Sequence, residues 1–268
     1  MKKKWFSYLV IISLFLSCSD DNTSNVVSNG GVSNQNGNGG NSNSEKIFTG
    51  FVNLTTQSQV DNFGANNYTQ INGSVFLQSS AINNLSSLSS IKVINGNLRI
   101  VGTRITNLDP LSGVEIYDDT VEGLSYLDIL NNENLENIDG LKSADTGLDS
   151  IQILNNPLLS NIDGLERMVE TVYIVIGGNN SLANLNGLSN LVKCKSIDIR
   201  SNSKVENLDP LINLTEVIDS VIISNNESLR DFCGLTLLLN TTNLSEYIVY
   251  SNFYNPTEED IMNGDCSI

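Results

Sequence analysis

The side chains that could carry chemistry in this sequence are unusual because histidine is absent. The 268 residues include 30 Asp and Glu, 14 Lys and Arg, and four cysteines. Without imidazole there is no Ser-His-Asp or Cys-His nucleophile and no imidazole-rich zinc site. Carboxylate chemistry is the main catalytic route left open.

Asp128 and Asp198 are the best candidates for a catalytic carboxylate pair. The repeat described below places them three coils apart, or about 14 Å at the spacing of adjacent strands. The paired carboxylates of glycoside hydrolases lie closer together than this. No Asp-x-Asp-x-Asp-Gly calcium loop occurs either. We therefore predict a protein that is not an enzyme and has neither a metal site nor a cofactor.

The net charge of −16 excludes another large class of partners. Nucleic-acid affinity comes mainly from Lys and Arg that neutralise phosphates. We predict no nucleic-acid partner.

The first residues have the pattern of a secretory signal. Residues 1–17 carry lysines at positions 2, 3 and 4 and continue as an apolar run that is too short to span a bilayer. The ending Leu16-Ser17-Cys18 resembles a bacterial lipoprotein cleavage box, and this resemblance implies a lipid on Cys18. Residues 18–46 would then be the lipid-anchored cysteine and a disordered Asn/Gly/Ser tether. The expected location is the outer membrane or cell surface, with the lipid as the contact to the membrane.

Residues 47–268 contain a repeat with a spacing of 23 or 24 residues and one interval of 29. Its first part is a pair of apolar residues two positions apart, which predicts a short strand with one buried face. The complete pairs are Val75/Leu77, Leu98/Ile100, Leu127/Ile129, Ile151/Ile153, Ile174/Ile176, Ile197/Ile199 and Val221/Ile223, with atypical outer pairs at Val52/Leu54 and Ile248/Tyr250.

Three apolar residues with a spacing of three follow each complete pair, as in Leu135, Ile138 and Leu141. This spacing predicts a tight return path that is nearly a 3₁₀ turn. One coil cannot bury its own apolar face, whereas stacked coils can. We therefore predict a solenoid with an N-terminal cap at 47–73 and a C-terminal cap at 236–268.

Two polar positions recur in most coils. Asparagine follows the strand at Asn132, Asn156, Asn179, Asn202 and Asn226, where it is expected to form a ladder of side-chain hydrogen bonds. Asp or Asn also precedes Gly or Pro in most return paths, as in Asp139-Gly140. These residues are predicted to act as N-caps rather than as catalysts.

The strand pattern Leu148-x-x-Ile151-x-Ile153-x-x-Asn156-x-Leu158 resembles the leucine-rich repeat, and its continuation N-x-x-L-x-x-L-x-x-L resembles the receptor L domain more closely. The resemblance covers roughly residues 48–266. It implies a β-dominated right-handed solenoid with one long parallel sheet, short irregular or 3₁₀ return paths and short capping helices. Receptor L domains occur in growth-factor receptors and also in bacterial surface lipoproteins, and the resemblance does not imply a particular ligand.

The cysteines other than Cys18 would lie in an oxidising compartment. Cys233 breaks the Asp/Asn pattern of the last return path and Cys266 lies in the closing segment, so we predict a disulfide between them. Cys194 is expected to be buried and unpaired. Three free thiols are the alternative.

The outward side chains of the strands form the one surface that the repeat extends as a continuous array. Several are apolar or aromatic, which favours a contact surface over a merely solvated face. The candidate residues are Phe76, Arg99, Tyr126, Asp128, Leu130, Gln152, Leu154, Tyr173, Asp198 and Arg200. Tyr117, in a presumed insertion at 115–120, is a secondary candidate.

We predict a cell-envelope binding or adhesion module for an extracellular protein or glycan. The alternatives are a rigid spacer without a ligand and, less favoured, a carboxylate-based enzyme that acts on polysaccharides.

Overall fold

A computed structural model describes residues 45–117, 125–142 and 148–268. Cys18, residues 1–17 and nearly all of the predicted tether lie outside the described residues, as do residues 118–120 of the presumed insertion. None of the helices in these three ranges has the length and hydropathy of a membrane span.

The core of the fold is a nine-stranded sheet in which all neighbouring strands are parallel. Its strands, in spatial order, are β2 (Val52–Leu54), β4 (Val75–Gln78), β6 (Leu98–Val101), β8 (Tyr126–Leu130), β9 (Ser150–Leu154), β10 (Tyr173–Gly177), β11 (Lys193–Arg200), β12 (Glu216–Ser224) and β13 (Glu246–Tyr250). The register pairs Ile151 with Ile174 and Ile174 with Ile197, so equivalent residues of successive coils lie above one another.

A second sheet, which the sequence did not predict, accompanies the first coils. Its four parallel strands are β1 (Ile47–Thr49), β3 (Gln70–Asn72), β5 (Val93–Asn95) and β7 (Glu115–Tyr117). The prediction of one long sheet is therefore wrong for this part of the chain. Each strand has only three residues and buries its central one, as Ile71 in β3 shows, so no period of two appears in the sequence.

The return paths are 3₁₀ turns, as predicted. They span Ser86–Leu88, Asp109–Leu111, Asp139–Leu141, Asp163–Leu165, Asn186–Leu188, Asp209–Leu211 and Cys233–Leu235. Every apolar residue that the complete repeat units assign to the interior is buried. Because each coil contributes to one continuous core, its burial depends on its neighbours.

Three short helices lie at the two ends of the stack. They are α1 (Gln57–Gly64), α2 (Thr236–Thr241) and α3 (Glu258–Met262). Thr56 and Gln59 form a capping box on α1, and Thr257 and Asp260 form one on α3. Ile261 of α3 is fully buried.

The last strand corrects a predicted register. In β13, Tyr247 and Val249 are aligned with the inward residues Val221 and Ile223, whereas Ile248 and Tyr250 are aligned with outward positions. The prediction shifted this strand by one residue. Four consecutive apolar or aromatic residues end the strand, so alternation alone could not fix which face is buried.

The Asn ladder is present and is longer than the repeat indicates. Each of the five predicted asparagines is fully buried. Their side chains bond the backbone and the asparagine of adjacent coils, with donor–acceptor distances of 2.9 to 3.5 Å. Thr103 extends the ladder at one end, and Asn252 extends it at the other.

The predicted N-caps are wrong. Asp139 is the first residue of its turn rather than the residue before it, and Ile138 at the cap position makes no side-chain capping bond. The side chain of Asn137 accepts the Asp139 N–H instead, at 3.2 Å. The same role is played by Asn84, Asn107, Asn161, Asn184, Asn207 and Asp231. An Asx side chain that bonds two residues ahead turns the chain before the 3₁₀ segment begins.

The disulfide between Cys233 and Cys266 is present, and Cys194 is buried and free. Burial raises the pKa of the Cys194 thiol to about 12. In the next coil Val217, four residues before Val221, occupies the position equivalent to Cys194. A bulge between Cys194 and Ser196 shifts the register there.

Candidate functional site

The ten predicted contact residues all lie on the outward side of β4, β6, β8, β9, β10 and β11. Asp128 is buried and the other nine are half-buried. We call this surface the strand face. The structure arranges it in three columns that run across the strands, because equivalent residues of parallel strands lie in register.

The central column joins five of the ten predicted residues. Its order is Phe76, Arg99, Asp128, Gln152, Val175 and Asp198. One flanking column contains Tyr126, Ser150 and Tyr173, and the other contains Leu130, Leu154, Gly177 and Arg200.

Four predicted residues and one unpredicted residue meet at one end of the strand face. The Phe76 and Tyr126 rings lie 6.4 Å apart, and Arg99 Cζ lies 5.8 Å from the centre of the Phe76 ring. Arg99 Nε is 3.6 Å from Asp128 Oδ2. Phe51, which precedes β2, contacts Phe76 with its ring centre 4.8 Å away. We call Phe51, Phe76, Arg99, Tyr126 and Asp128 the Arg99 cluster.

Phe51 is the one residue of this cluster that the repeat did not predict. It is 44% exposed and lies just outside the repeating apolar pair of the first coil. An apolar residue at an outward position next to β2 was the available signal. The packing of its ring against Phe76 became visible only in the folded chain.

Burial controls the electrostatics of the Arg99 cluster. Desolvation raises the pKa of the Asp128 carboxyl, and the nearby Arg99 guanidinium opposes this shift to a smaller extent. The pKa of Tyr126 is also raised, first by desolvation and then by the charge of Asp128. Asp128 is only 7% exposed. Its outward position on β8 therefore does not make it a solvent-exposed carboxylate.

A second Arg–Asp pair lies farther along the strand face. Arg200 Nη1 is 3.0 Å from Asp198 Oδ2, and burial raises the pKa of Asp198. The stem of Arg200 and the side chain of Leu154 converge above Gly177, where a Cβ would lie 3.0 Å from Arg200 Cγ. Because Gly177 has no side chain, the side chains of Leu154 and Arg200 can occupy the space above it.

Tyr173 lies in the same column as Tyr126 but has different neighbours. Its hydroxyl accepts a hydrogen bond from Lys195 Nζ at 3.2 Å, and Lys195 also pairs with Asp219 at 3.3 Å. Tyr117 is part of β7 in the four-stranded sheet and is not on the strand face. The presumed insertion therefore does not begin at Glu115, since residues 115–117 form this strand.

The arrangement offers contact groups rather than a catalytic pair. Consecutive strands β8, β9, β10 and β11 separate Asp128 from Asp198 by three spacings, which is about 14 Å. Within the described ranges, no group of three or more His, Cys, Asp or Glu could hold a metal ion.

Residues 67–171 match the family model of the receptor L domain, which confirms the resemblance drawn from the strand pattern. The match covers β3 to β9, including Phe76 and the residues of the Arg99 cluster that follow it. The coils beyond residue 171 continue the same parallel sheet. No curated protein matches the chain in sequence.

Proposed function

We propose, from the receptor L domain that residues 67–171 match, that the strand face of this chain binds an extracellular protein or glycan. The receptor L domain is a non-enzymatic, ligand-binding type of module. The observation that carries the proposal is the continuous strand face. Phe76, Tyr126 and Tyr173 point away from the core on this face, and each is partly exposed. Aromatic side chains of this kind are enriched at binding interfaces.

The two alternative functions, a rigid spacer and a carboxylate-based enzyme, have less support. A spacer without a ligand needs no aromatic groups on its outward strand positions. An enzyme with paired carboxylates needs them closer together than Asp128 and Asp198.

The right-handed sense of the winding stays a prediction from the family resemblance.

Substitution of the aromatic side chains tests the strand face. The full chain would be screened against arrays of extracellular proteins and glycans. We expect Tyr126→Ser/Tyr173→Ser to reduce capture of the ligand at least about tenfold, because each change removes a large part of the contact area. The matched control is Leu158→Ser/Ile212→Ser. Both control residues are exposed and lie outside the strand face. Capture that survives the tyrosine substitutions would place the site elsewhere, and capture of nothing would favour the spacer.

We also propose that the chain is held at the outer membrane or cell surface by a lipid on Cys18. Support comes from the signal-like residues 1–17 and the sequence Leu16-Ser17-Cys18. In a bacterial host, the wild-type protein is expected to enter the detergent-rich phase on Triton X-114 partitioning, and Cys18→Ser is expected to enter the aqueous phase. Cys194→Ser serves as the control because Cys194 lies far along the sequence from residues 1–18 and is buried in the folded domain. Equal partitioning of wild type and Cys18→Ser would refute the anchor.

A further inference from the structure

The Arg99 cluster contains a polar pair, Arg99 and Asp128, in which one atom of each side chain makes no hydrogen bond. Arg99 Nε and Asp128 Oδ1 are both buried, and neither has a hydrogen-bond partner among the described residues. The separation of 3.6 Å between Arg99 Nε and Asp128 Oδ2 is too long for a good hydrogen bond. Buried polar groups are normally satisfied, so this donor and this acceptor need an explanation.

Both atoms are closed to solvent, so a ligand reaches them only if the Arg99 side chain, which is 30% exposed and lies over the Phe76 ring, swings aside. A hydroxyl-bearing ligand that enters beside Asp128 as Arg99 moves would satisfy both atoms and meet the uncovered ring. A hydroxyl group can donate one hydrogen bond and accept others. Neighbouring hydroxyls on one ligand could therefore donate to Asp128 Oδ1 and accept from Arg99 Nε. Hydrogen bonds to charged groups of this kind are stronger than those between neutral groups.

The charges of the site favour a neutral ligand. Arg99 and Asp128 carry opposite charges at nearly the same place, so their fields largely cancel. An anionic ligand would meet the Asp128 carboxylate and a chain with a net charge of −16. A cationic ligand would meet the Arg99 guanidinium. Either charged ligand would lose part of its hydration without a matching opposite charge.

The aromatic rings supply the apolar part of the site. Phe51, Phe76 and Tyr126 lie beside the Arg–Asp pair, with successive ring centres 4.8 and 6.4 Å apart. The faces of aromatic rings carry partial negative charge, which attracts the weakly positive C–H bonds of a sugar ring. A sugar ring presents such C–H groups on its faces and hydroxyls around its edge.

We propose that the Arg99 cluster binds one ring of a neutral saccharide, with sugar hydroxyls on Arg99 and Asp128 and the ring packed against Phe76 and Tyr126. This inference rests on the binding role proposed for the strand face and names its ligand class. A protein segment fits these groups less well, because its backbone carries amide N–H and C=O groups and no hydroxyls.

The test is titration of the full chain with maltohexaose, cellohexaose, laminarihexaose, xylohexaose and mannohexaose by isothermal calorimetry. We expect at least one of these saccharides to bind. We expect Asp128→Asn to weaken the affinity for that saccharide about ten- to a hundredfold, because the substitution removes a hydrogen bond to a charged group. Phe76→Leu keeps an apolar side chain but removes the ring, and we expect about a tenfold loss.

Asp219→Asn is the matched control. It also changes a carboxylate to an amide in the nine-stranded sheet, but Asp219 pairs with Lys195 and not with the Arg99 cluster. We expect less than a twofold change in affinity. Circular dichroism and thermal melting check the fold of each variant. Asp128→Asn removes a buried carboxylate but also removes the counter-charge of Arg99, and because these effects oppose each other we expect a melting temperature close to that of wild type.

Two results would overturn the inference. One is that none of the five saccharides binds, and the other is that Asp128→Asn and Phe76→Leu bind as well as wild type. The proposed role of the strand face is judged separately. The wild type could capture a protein ligand, lose this capture in Tyr126→Ser/Tyr173→Ser, and bind no saccharide. That result would overturn the saccharide as the ligand but support the strand face as a binding surface.

Discussion

Replacement of Asn179 by alanine is expected to lower the free energy of unfolding by about 3 to 5 kcal/mol. The Asn179 side chain joins its own coil to both neighbours, since its Nδ2 donates to Asn202 Oδ1 of the next coil at 3.4 Å and its other bonds go to the preceding coil. Its Oδ1 accepts the backbone N–H of Asn156 at 3.0 Å, and its Nδ2 donates to the carbonyl of Ile153 at 2.9 Å. Alanine leaves both buried backbone groups without these partners and also leaves a small cavity.

Urea unfolding followed by circular dichroism measures this loss. The matched control is Asn180→Ala, because Asn180 is the adjacent asparagine and is exposed. We expect Asn180→Ala to change the free energy by no more than about 0.5 kcal/mol. An Asn179→Ala protein as stable as Asn180→Ala would contradict a stabilising role for the ladder at this coil.

Removal of the disulfide by Cys233→Ser/Cys266→Ser is expected to reduce stability by about 3 to 4 kcal/mol, if the 33-residue separation is treated as a loop closed in the unfolded chain. The disulfide joins the last 3₁₀ turn to the end of the chain. Next to it, the carbonyl of Cys266 accepts the N–H of Phe232 at 2.8 Å. Because end coils have a neighbour on only one side, we expect the loss to be greatest after residue 242.

Hydrogen exchange resolved along the sequence, combined with urea unfolding, tests this prediction. Reductant should lower the stability of the wild type to that of the double variant and leave the variant unchanged. Cys194→Ala provides a control for thiol effects, since Cys194 is buried and outside the disulfide. If reductant has no effect on the wild type, the disulfide does not stabilise the closing segment.

The candidate site could be predicted only in part. The repeat located the outward positions correctly, since Phe76, Arg99 and Asp128 do lie in one column. It did not reveal that Arg99 lies over the Phe76 ring, that Asp128 is buried, or that Phe51 joins the cluster. Those facts depend on how long side chains bend across neighbouring strands, and residue spacing carries no information about this.

Glycines of the return paths show the same limit. The sequence indicated that Gly and Pro are interchangeable there, because Gly140 and Gly187 occupy the position of Pro110 and Pro210. The structure adds a second constraint. A Cβ on Gly187 would lie 1.9 Å from the carbonyl oxygen of Ile162 in the preceding coil. This contact is between residues distant in sequence, so only the stacked coils show it.

The amino-acid sequence by itself determined the coil length, the inward residues of each complete coil, the asparagine ladder and the pairing of Cys233 with Cys266. These features repeat or stand out along the chain because every coil must bury the same face against its neighbours. Only the tertiary structure decided the second sheet, the register of β13 and the composition of the Arg99 cluster. All three depend on packing between coils. The strands of the second sheet have a single inward residue, β13 ends in a uniformly apolar run, and the Arg99 cluster forms by side chains that bend across strands, so none of them leaves a periodic pattern in the sequence.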